Sequence, residues 1–330
     1  MRPRAGWCAL LFTGAALAAG PSQTPYGQRP DVRAFVQEMV RRHSFVEQEL
    51  AFAFSRARRI AEVLKAVAPP AAERPRSWAA YRATFVSDRH VDAGLDFWRL
   101  HRAALARAAA EYGIPQEVIV AIVGIETFYG RNTGRWRVID ALTTLAFDYP
   151  PRADFFRAEL ENYLLYARQT GTDVFSVRGS YAGAIGIPQF MPGSYLKFAV
   201  DFDGDGSVDL RASPVDAIGS VANFLKEHGW RPGEPLLLAA EVRGEAYRAY
   251  ADGAVLPRHT LAELAKAGIT ARESAPAESL RAALIELETP GQPSEYRLGF
   301  ENFYVLTRYN RSSFYAAAVV DLALALRAAR

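Results

Sequence analysis

The chain has 330 residues, 50% hydrophobic and 12% aromatic, enough apolar material for a folded core and against a disordered or low-complexity protein. Its 39 basic and 36 acidic residues leave a net charge of only +3, scattered rather than clustered, which excludes a nucleic-acid partner. One cysteine excludes a disulfide framework and a cysteine-based zinc site, and the length corresponds to roughly two domain-sized units.

Arg2 and Arg4 precede an apolar run from Trp7 to Ala19, and Ala16-Leu17-Ala18 supplies a small-x-small cleavage pattern. Residues 1–18 therefore read as a signal peptide, cleaved near Ala18. The run is shorter than the roughly 20 residues of a membrane span. Cys8 stands at its start, whereas a lipidated cysteine would come after it, so no membrane anchor is predicted. Removing Arg2 and Arg4 from the 39 basic residues leaves 37 against 36 acidic, in a cysteine-free mature chain. Export without disulfides fits a periplasm, where nucleotide cofactors are not expected. Residues 19–30 read as a flexible leader.

From Asp31 to Ala68 apolar residues recur at three and four, the period of amphipathic helices, and Pro69, Pro70 and Pro75 punctuate the next stretch. Residues 91–112 continue the helical pattern to Gly113. The run Glu117–Ile125 is apolar on every side; its β-branched residues suit a strand, but Pro115 and the length favour a buried helix. Residues 139–147 and 152–169 read as helices. Ser213-Pro214 is an N-cap and first-turn pair opening a helix to His228, which Gly229 stops. Short apolar runs at Leu236–Val242, Ala282–Glu288, Tyr296–Phe300 and Phe303–Tyr309 read as strands of a small β-rich subdomain around a helical piece near 261–267. A helix from Ser312 to about Leu326 closes the chain.

Three blocks carry chemistry. Glu126 ends the buried run, and Val123, Ile122 and Ile119 make its helix face otherwise apolar. A carboxyl held there favours its neutral form, which is what a general acid needs; the alternative is a structural glutamate paired with Arg131 or Arg135. The block Ser180–Tyr195 places Gln189 among aromatics and tight glycine and proline turns, a composition that suits sugar hydroxyls and ring faces. The run Asp201–Asp209 has Asp at positions one, three and five and Gly at six, the opening of an EF-hand calcium loop, but position twelve is Ala212. Asp209 or Asp216 is placed to supply the missing oxygen. The ion would be structural Ca²⁺. The five histidines form no metal-ligand cluster, and no organic cofactor is expected.

Taken together, Ile122–Gly130, Asp140–Pro150, Ser180–Pro192, Asp201–Gly206, Pro214–Asn223 and Asn302–Asn310 resemble periplasmic lytic murein transglycosylases of the membrane-bound lytic transglycosylase B type. The likeness covers most of residues 30–327, in order. It implies a mainly α (α+β) fold: a lysozyme-like helical core, an N-terminal helical region and a small inserted β-rich subdomain. On that frame residues 31–90 are the helical region and 91–231 the catalytic core with its calcium-type loop. Residues 232–300 are the β-rich insertion, and 301–330 complete the core. By resemblance Glu126 is the sole catalytic acid and base, and Ser180, Gln189, Tyr304, Tyr309, Asn310 and Tyr315 line the glycan cleft. Asp201, Asp203, Asp205, Ser207 and Asp216 are the implied calcium ligands, although one extra residue between Leu210 and Pro214 departs from the family pattern.

The implied reaction cleaves the β-1,4 bond between N-acetylmuramic acid and N-acetylglucosamine in peptidoglycan and closes a 1,6-anhydro ring. The expected partners are glycan strands and other cell-wall enzymes. Ordinary glycosidases use two carboxylates, so Asp140, Asp148 or Asp154 as a second one would make a lysozyme-like hydrolase. A non-catalytic peptidoglycan-binding scaffold is the third reading, disfavoured because a pure binder has no use for a desolvated acid.

Overall fold

Proline and glycine punctuation, together with the apolar periods, cut the chain into many short helices and one late cluster of strands. A computed structural model describes residues 24–68, 77–273 and 277–330. The signal peptide with Cys8, the first part of the leader and the cluster of Pro69, Pro70 and Pro75 lie outside the described residues. The chain divides into two units, one ending at Arg58 and one running from Arg59 to Arg330.

The first unit holds α1 (Pro30–His43) and α2 (Glu47–Arg56). Val32, Phe35, Val36 and Met39 of α1 meet Leu50, Ala53 and Phe54 of α2, with the Phe35 and Phe54 rings edge to face. The leader is corrected here over residues 24–30. Tyr26–Gln28 form a 3-10 turn, and Tyr26 is buried. A tyrosine ring that leaves water, with Arg29 paired to Asp31 at 2.6 Å beside it, orders a segment whose composition reads as mobile.

The second unit begins with α3 (Ala61–Val67), α4 (Trp78–Phe85), α5 (Asp88–Leu100), α6 (Arg102–Tyr112) and α7 (Gln116–Thr127). The helical pattern of residues 91–112 is thus two helices, broken at His101. α7 is helical despite its β-branched residues because packing surrounds it: every residue from Val118 to Gly124 is buried. Next come β1 (Trp136–Arg137), α8 (Val138–Asp148), α9 (Ala153–Gln169), β2 (Arg178–Gly179), α10 (Pro192–Phe198) and α11 (Pro214–Glu227). Ser213 caps α11 by accepting from the Asp216 amide, as its sequence predicts.

Between the helices lies the insertion: β3 (Leu237–Val242), β4 (His259–Thr260), α12 (Leu261–Lys266), β5 (Ile269–Ala271), β6 (Arg281–Leu287) and β7 (Glu295–Gly299). These strands form an antiparallel sheet in the order β4-β6-β7-β3-β5. Leu298 pairs with Leu284 on one side and Leu238 on the other. With Leu264 of α12, Ile269 and Phe300 they fill the core of the insertion.

α13 (Glu301–Tyr309) and α14 (Ser313–Ala328) return the chain to the helical core. Phe303–Tyr309 is therefore a helix, not the strand its composition suggests. A short apolar run does not discriminate between a buried strand and a buried helix. Here Asn302, Phe303, Val305, Leu306 and Thr307 are all buried, and the chain leaves the sheet at Phe300, whose amide donates to Leu236 O at 3.0 Å. α14 lies along α7, where alanines 316–318 allow close approach.

A charged cluster fastens the sheet to these helices. Asp321 of α14 accepts from Arg297 of β7 and from Arg82 of α4 at 2.6 Å. Glu295 accepts from Arg297 and from the Trp78 indole at 2.9 Å. The Asp321 and Arg297 side chains are only 7% and 12% exposed, so removing one partner strands the other charge away from water. Asp321→Ala is expected to destabilise the protein by about 3 kcal/mol in urea unfolding.

Candidate active site

α7 delivers Glu126 to its last turn, one residue before the helix ends. The residue keeps limited exposure, but burial of its carboxyl pushes the acid up to about 7, opposed only by the Tyr315 hydroxyl. Tyr315 comes from the first turn of α14 and Tyr309 from the last turn of α13, and their rings stack 6.3 Å apart at 12°. Burial raises both phenols well above their ordinary value, and the Glu126 charge raises both further. The Tyr315 hydroxyl faces Glu126, yet its buried oxygen has no partner at hydrogen-bond length. It is a donor held dry in front of an acid.

Two other carboxyls are also raised by burial, and the contrast is informative. Glu159 accepts from the Gly193 amide at 2.8 Å. Asp216 accepts from the amides of Phe202, Asp203 and Asp209 at 2.8, 3.2 and 2.8 Å. Both carboxylates are spent on backbone donors. Glu126 accepts from no backbone amide among the described residues, and neither predicted arginine pairs with it. Arg131 lies over the Phe128 ring and Arg135 over the Trp136 ring. The structural ion pair weighed for Glu126 is thus absent, because aromatic faces hold both cations.

Of the second-carboxylate candidates, Asp140 and Asp148 are engaged elsewhere. Asp140 takes a two-pronged contact from Arg137 at 2.7 and 2.9 Å. Asp148 pairs with Arg59 at 3.1 Å, and Asp154 is exposed in the first turn of α9. None contributes to the acidity of Glu126.

The glycine-rich block after β2 acts through its backbone. Gly186 sits at φ 73°, where a Cβ would lie 2.3 Å from Leu210 O, so only glycine fits. Gln189, at φ 52°, turns its amide inward to donate to Gly186 O at 2.8 Å and Thr133 O at 3.1 Å. The Tyr309 hydroxyl donates to Pro188 O at 2.6 Å, which joins this block to the tyrosine wall. Ser180 Oγ accepts from the Ala182 and Ala184 amides and shapes the turn before it. Tyr304 carries Arg308 stacked 4.6 Å over its ring, and Asn310 stays exposed, its Oδ1 accepting from the Ser312 amide. The structure thus gathers Glu126, Tyr309 and Tyr315 with the Gln189 loop, while no hydrogen bond joins Ser180, Tyr304 or Asn310 to Glu126 among the described residues. Sequence reading missed Thr127, whose hydroxyl donates to Ile187 O at 2.8 Å. A threonine beside the acid at a helix end is the only signal that marks it.

Asp201, Asp203 and Asp205 each bring a carboxylate oxygen within 4.8 Å of the other two. Oxygens about 2.4 Å from one cation lie at most about 4.8 Å apart, so the spacing fits Ca²⁺. No lysine or arginine pairs with these three among the described residues, which leaves their charge for an ion. Asp216 stands outside the trio and braces the loop through its three amide contacts.

Such a site, a half-buried acid near pH 7 under an aromatic wall in a helical core, defines a glycan-cleaving enzyme of lysozyme-like architecture. The family model described as "Transglycosylase SLT domain" matches residues 27–324. A crystal structure of the soluble lytic transglycosylase SltB1 from Pseudomonas aeruginosa is 47% identical, covers 91% of this chain and 99% of its own, and superimposes with a TM-score of 0.85. Membrane-bound lytic murein transglycosylase B of Escherichia coli (strain K12) is 40% identical over 313 residues, 92% of this chain and 85% of that protein. The Escherichia coli lytic transglycosylase Slt35 in complex with calcium is also 40% identical, covering 92% and 94% of the two chains with a TM-score of 0.81. The chain belongs to the lytic murein transglycosylase family.

The raised acid also predicts a stability effect. Folded Glu126 holds its proton to about pH 7, whereas the unfolded chain releases it near 4.5, the ordinary value for a glutamate. Folding therefore loses stability as pH rises from 4.5 to 7, by about 3 kcal/mol in all. Glu126→Gln is expected to be more stable than the parent by about that amount at pH 8, with the advantage gone below pH 4.5 in paired urea titrations.

Proposed function

We propose that this chain cleaves murein glycan strands as a lytic transglycosylase, with Glu126 alone serving as acid and then base. The observation that carries the reading is a carboxyl raised by burial to about 7 with no second carboxylate acting on it. Near neutral pH it is part protonated and part ionised, so one group can give a proton and take one back.

The protonated Glu126 donates to the glycosidic oxygen between N-acetylmuramic acid and N-acetylglucosamine, and the C–O bond to the muramoyl C1 breaks. The N-acetyl group of the same muramoyl residue shields the positive centre. Glu126, now a carboxylate, removes the proton from the muramoyl C6 hydroxyl, and that oxygen attacks C1 to close the 1,6-anhydro ring. The proton count balances, and no water is consumed. Burial of the carboxyl beside the Tyr315 and Tyr309 rings keeps Glu126 protonated, and the Tyr315 hydroxyl works against that burial. Ser180, Gln189, Tyr304 and Asn310 line the strand's path: the exposed Asn310 amide meets sugar hydroxyls, and Gln189, spent on Gly186 O and Thr133 O, shapes the path from behind.

Asp201, Asp203 and Asp205, with the Ser207 position of the loop, hold Ca²⁺ as a brace, and Asp216 either joins them or orders the loop from behind. The ion supplies rigidity to the segment that carries Leu210. The N-terminal export segment places the mature enzyme in the periplasm with the cell wall and its other enzymes. No single helix among the described residues is long and apolar enough to cross a membrane.

Digestion of purified sacculi tests the reaction. The expected muropeptides are about 18 Da lighter than hydrolytic ones, and Glu126→Gln yields none. Hydrolytic masses would instead identify a muramidase, and intact sacculi with retained binding a scaffold. For the metal, thermal unfolding is expected to shift upward by about 5 °C in saturating Ca²⁺ relative to chelator, and Asp203→Ala to remove the difference.

A further inference from the structure

Glu126 stands where a helix is least able to hold it. Backbone hydrogen bonds thin out over a last turn, so a group there needs support from outside the helix. The chain then departs through consecutive left-handed residues, Phe128 at φ 49°, Tyr129 at 61° and Gly130 at 84°. Thr127 sits at this corner, 1% exposed. Its hydroxyl donates to Ile187 O at 2.8 Å, with Val123 O farther away at 3.3 Å, and accepts from the Gly130 amide at 2.9 Å. Its own carbonyl accepts from the Asn132 amide at 2.9 Å.

The acceptor is as informative as the donor. Ile187 and Pro188 are adjacent, and the Pro188 carbonyl receives the Tyr309 hydroxyl at 2.6 Å. The Ile187 amide donates to Leu210 O at 2.8 Å, which ties the same strip of backbone to the acidic loop. One peptide segment therefore takes a hydrogen bond from the end of the acid's helix and another from the tyrosine wall.

We propose that Thr127 is a positioning residue that sets Glu126 against its tyrosine wall by pinning the end of α7 to the Ile187–Pro188 backbone. The inference rests on Glu126 being the acid. Thr127 touches no reacting atom. It holds the carboxyl at the depth where water is excluded, so its loss changes both how often the acid is aligned and how easily it ionises.

The groups facing Glu126 are Tyr315 and Tyr309, with Tyr81 of α4 behind Tyr315. On the α5 side, Arg89 lies over the Phe128 ring and His90 packs edge-on to it, and Arg131 covers the same ring; none of these acts on Glu126. A pH shift on changing Thr127 thus reports the seating of Glu126 rather than a new charge.

The test compares Thr127→Val, which keeps the shape but loses the hydroxyl, with Thr127→Ser, which keeps the hydroxyl, on soluble glycan strands of defined length. Thr127→Val is expected to lower kcat about tenfold with KM within about twofold. The alkaline limb of its kcat profile moves about one pH unit lower, because a loosened helix end lets water stabilise the carboxylate. Thr127→Ser restores both. An unmoved limb in Thr127→Val overturns the proposal, as does a displaced limb in Thr127→Ser, which decides the matter even if the valine variant does not fold. Glu126→Gln runs alongside: its retained activity would remove the catalytic reading itself, whereas an inactive Glu126→Gln with wild-type behaviour in Thr127→Val removes only the role of Thr127.

Discussion

Keeping the Glu126 carboxyl out of water is the constraint on which the arrangement around the end of α7 depends. Left to itself a buried carboxylate draws in water or a cation, or pulls its helix toward the surface. This chain meets that tendency with an all-round apolar helix, α7, enclosed by α5, α6, α11 and α14. The carboxyl is left facing phenols rather than amides or arginines. Its acid is raised to about 7 as a consequence, at an energetic expense of about 3 kcal/mol when ionised. Other acids raised by burial in the same unit show the ordinary solution: Glu159 and Asp216 accept from backbone donors.

Contacts from the end of α7 and from the tyrosine wall converge on the backbone of residues 185–190. Ile185 and Phe190 exchange amide contacts at 2.8 and 3.1 Å, closing a tight loop. Three of its carbonyls then accept from Gln189, Thr127 and Tyr309 in turn. Its one glycine, Gly186, allows the close approach to Leu210. Next to the acidic loop, Leu210 O accepts from the Ile187 amide at 2.8 Å.

Local signals carried the helices well. The Ser213-Pro214 cap, the Gly113 and Gly229 stops, and the apolar girth of α7 all depend on interactions within a few residues, so the chain displays them directly. The alternating aspartates 201, 203 and 205 are equally local, because a metal loop draws its ligands from neighbouring positions. Phe303–Tyr309 misleads for the opposite reason: once all sides of a short segment are covered, its apolar pattern loses the period that separates helix from strand. The leader misleads because one tyrosine, Tyr26, finds a buried place that its polar neighbours do not announce.

By itself the sequence pointed to the class of enzyme through its likeness to a known family, and displayed the carboxyl at the end of a buried helix and the three-carboxylate loop, both matters of residue type at short spacing. Only the tertiary structure decided which groups meet Glu126. Tyr309 and Tyr315 arrive from more than 180 residues away, after the sheet has been inserted and the chain returned to the core. Only there are Arg131 and Arg135 seen turned onto aromatic rings, Asp140 claimed by Arg137, and Thr127 bonded across to Ile187. The physical reason is that an acid's proton affinity depends on the polar and charged groups within a few ångströms, and sequence distance says nothing of which these are.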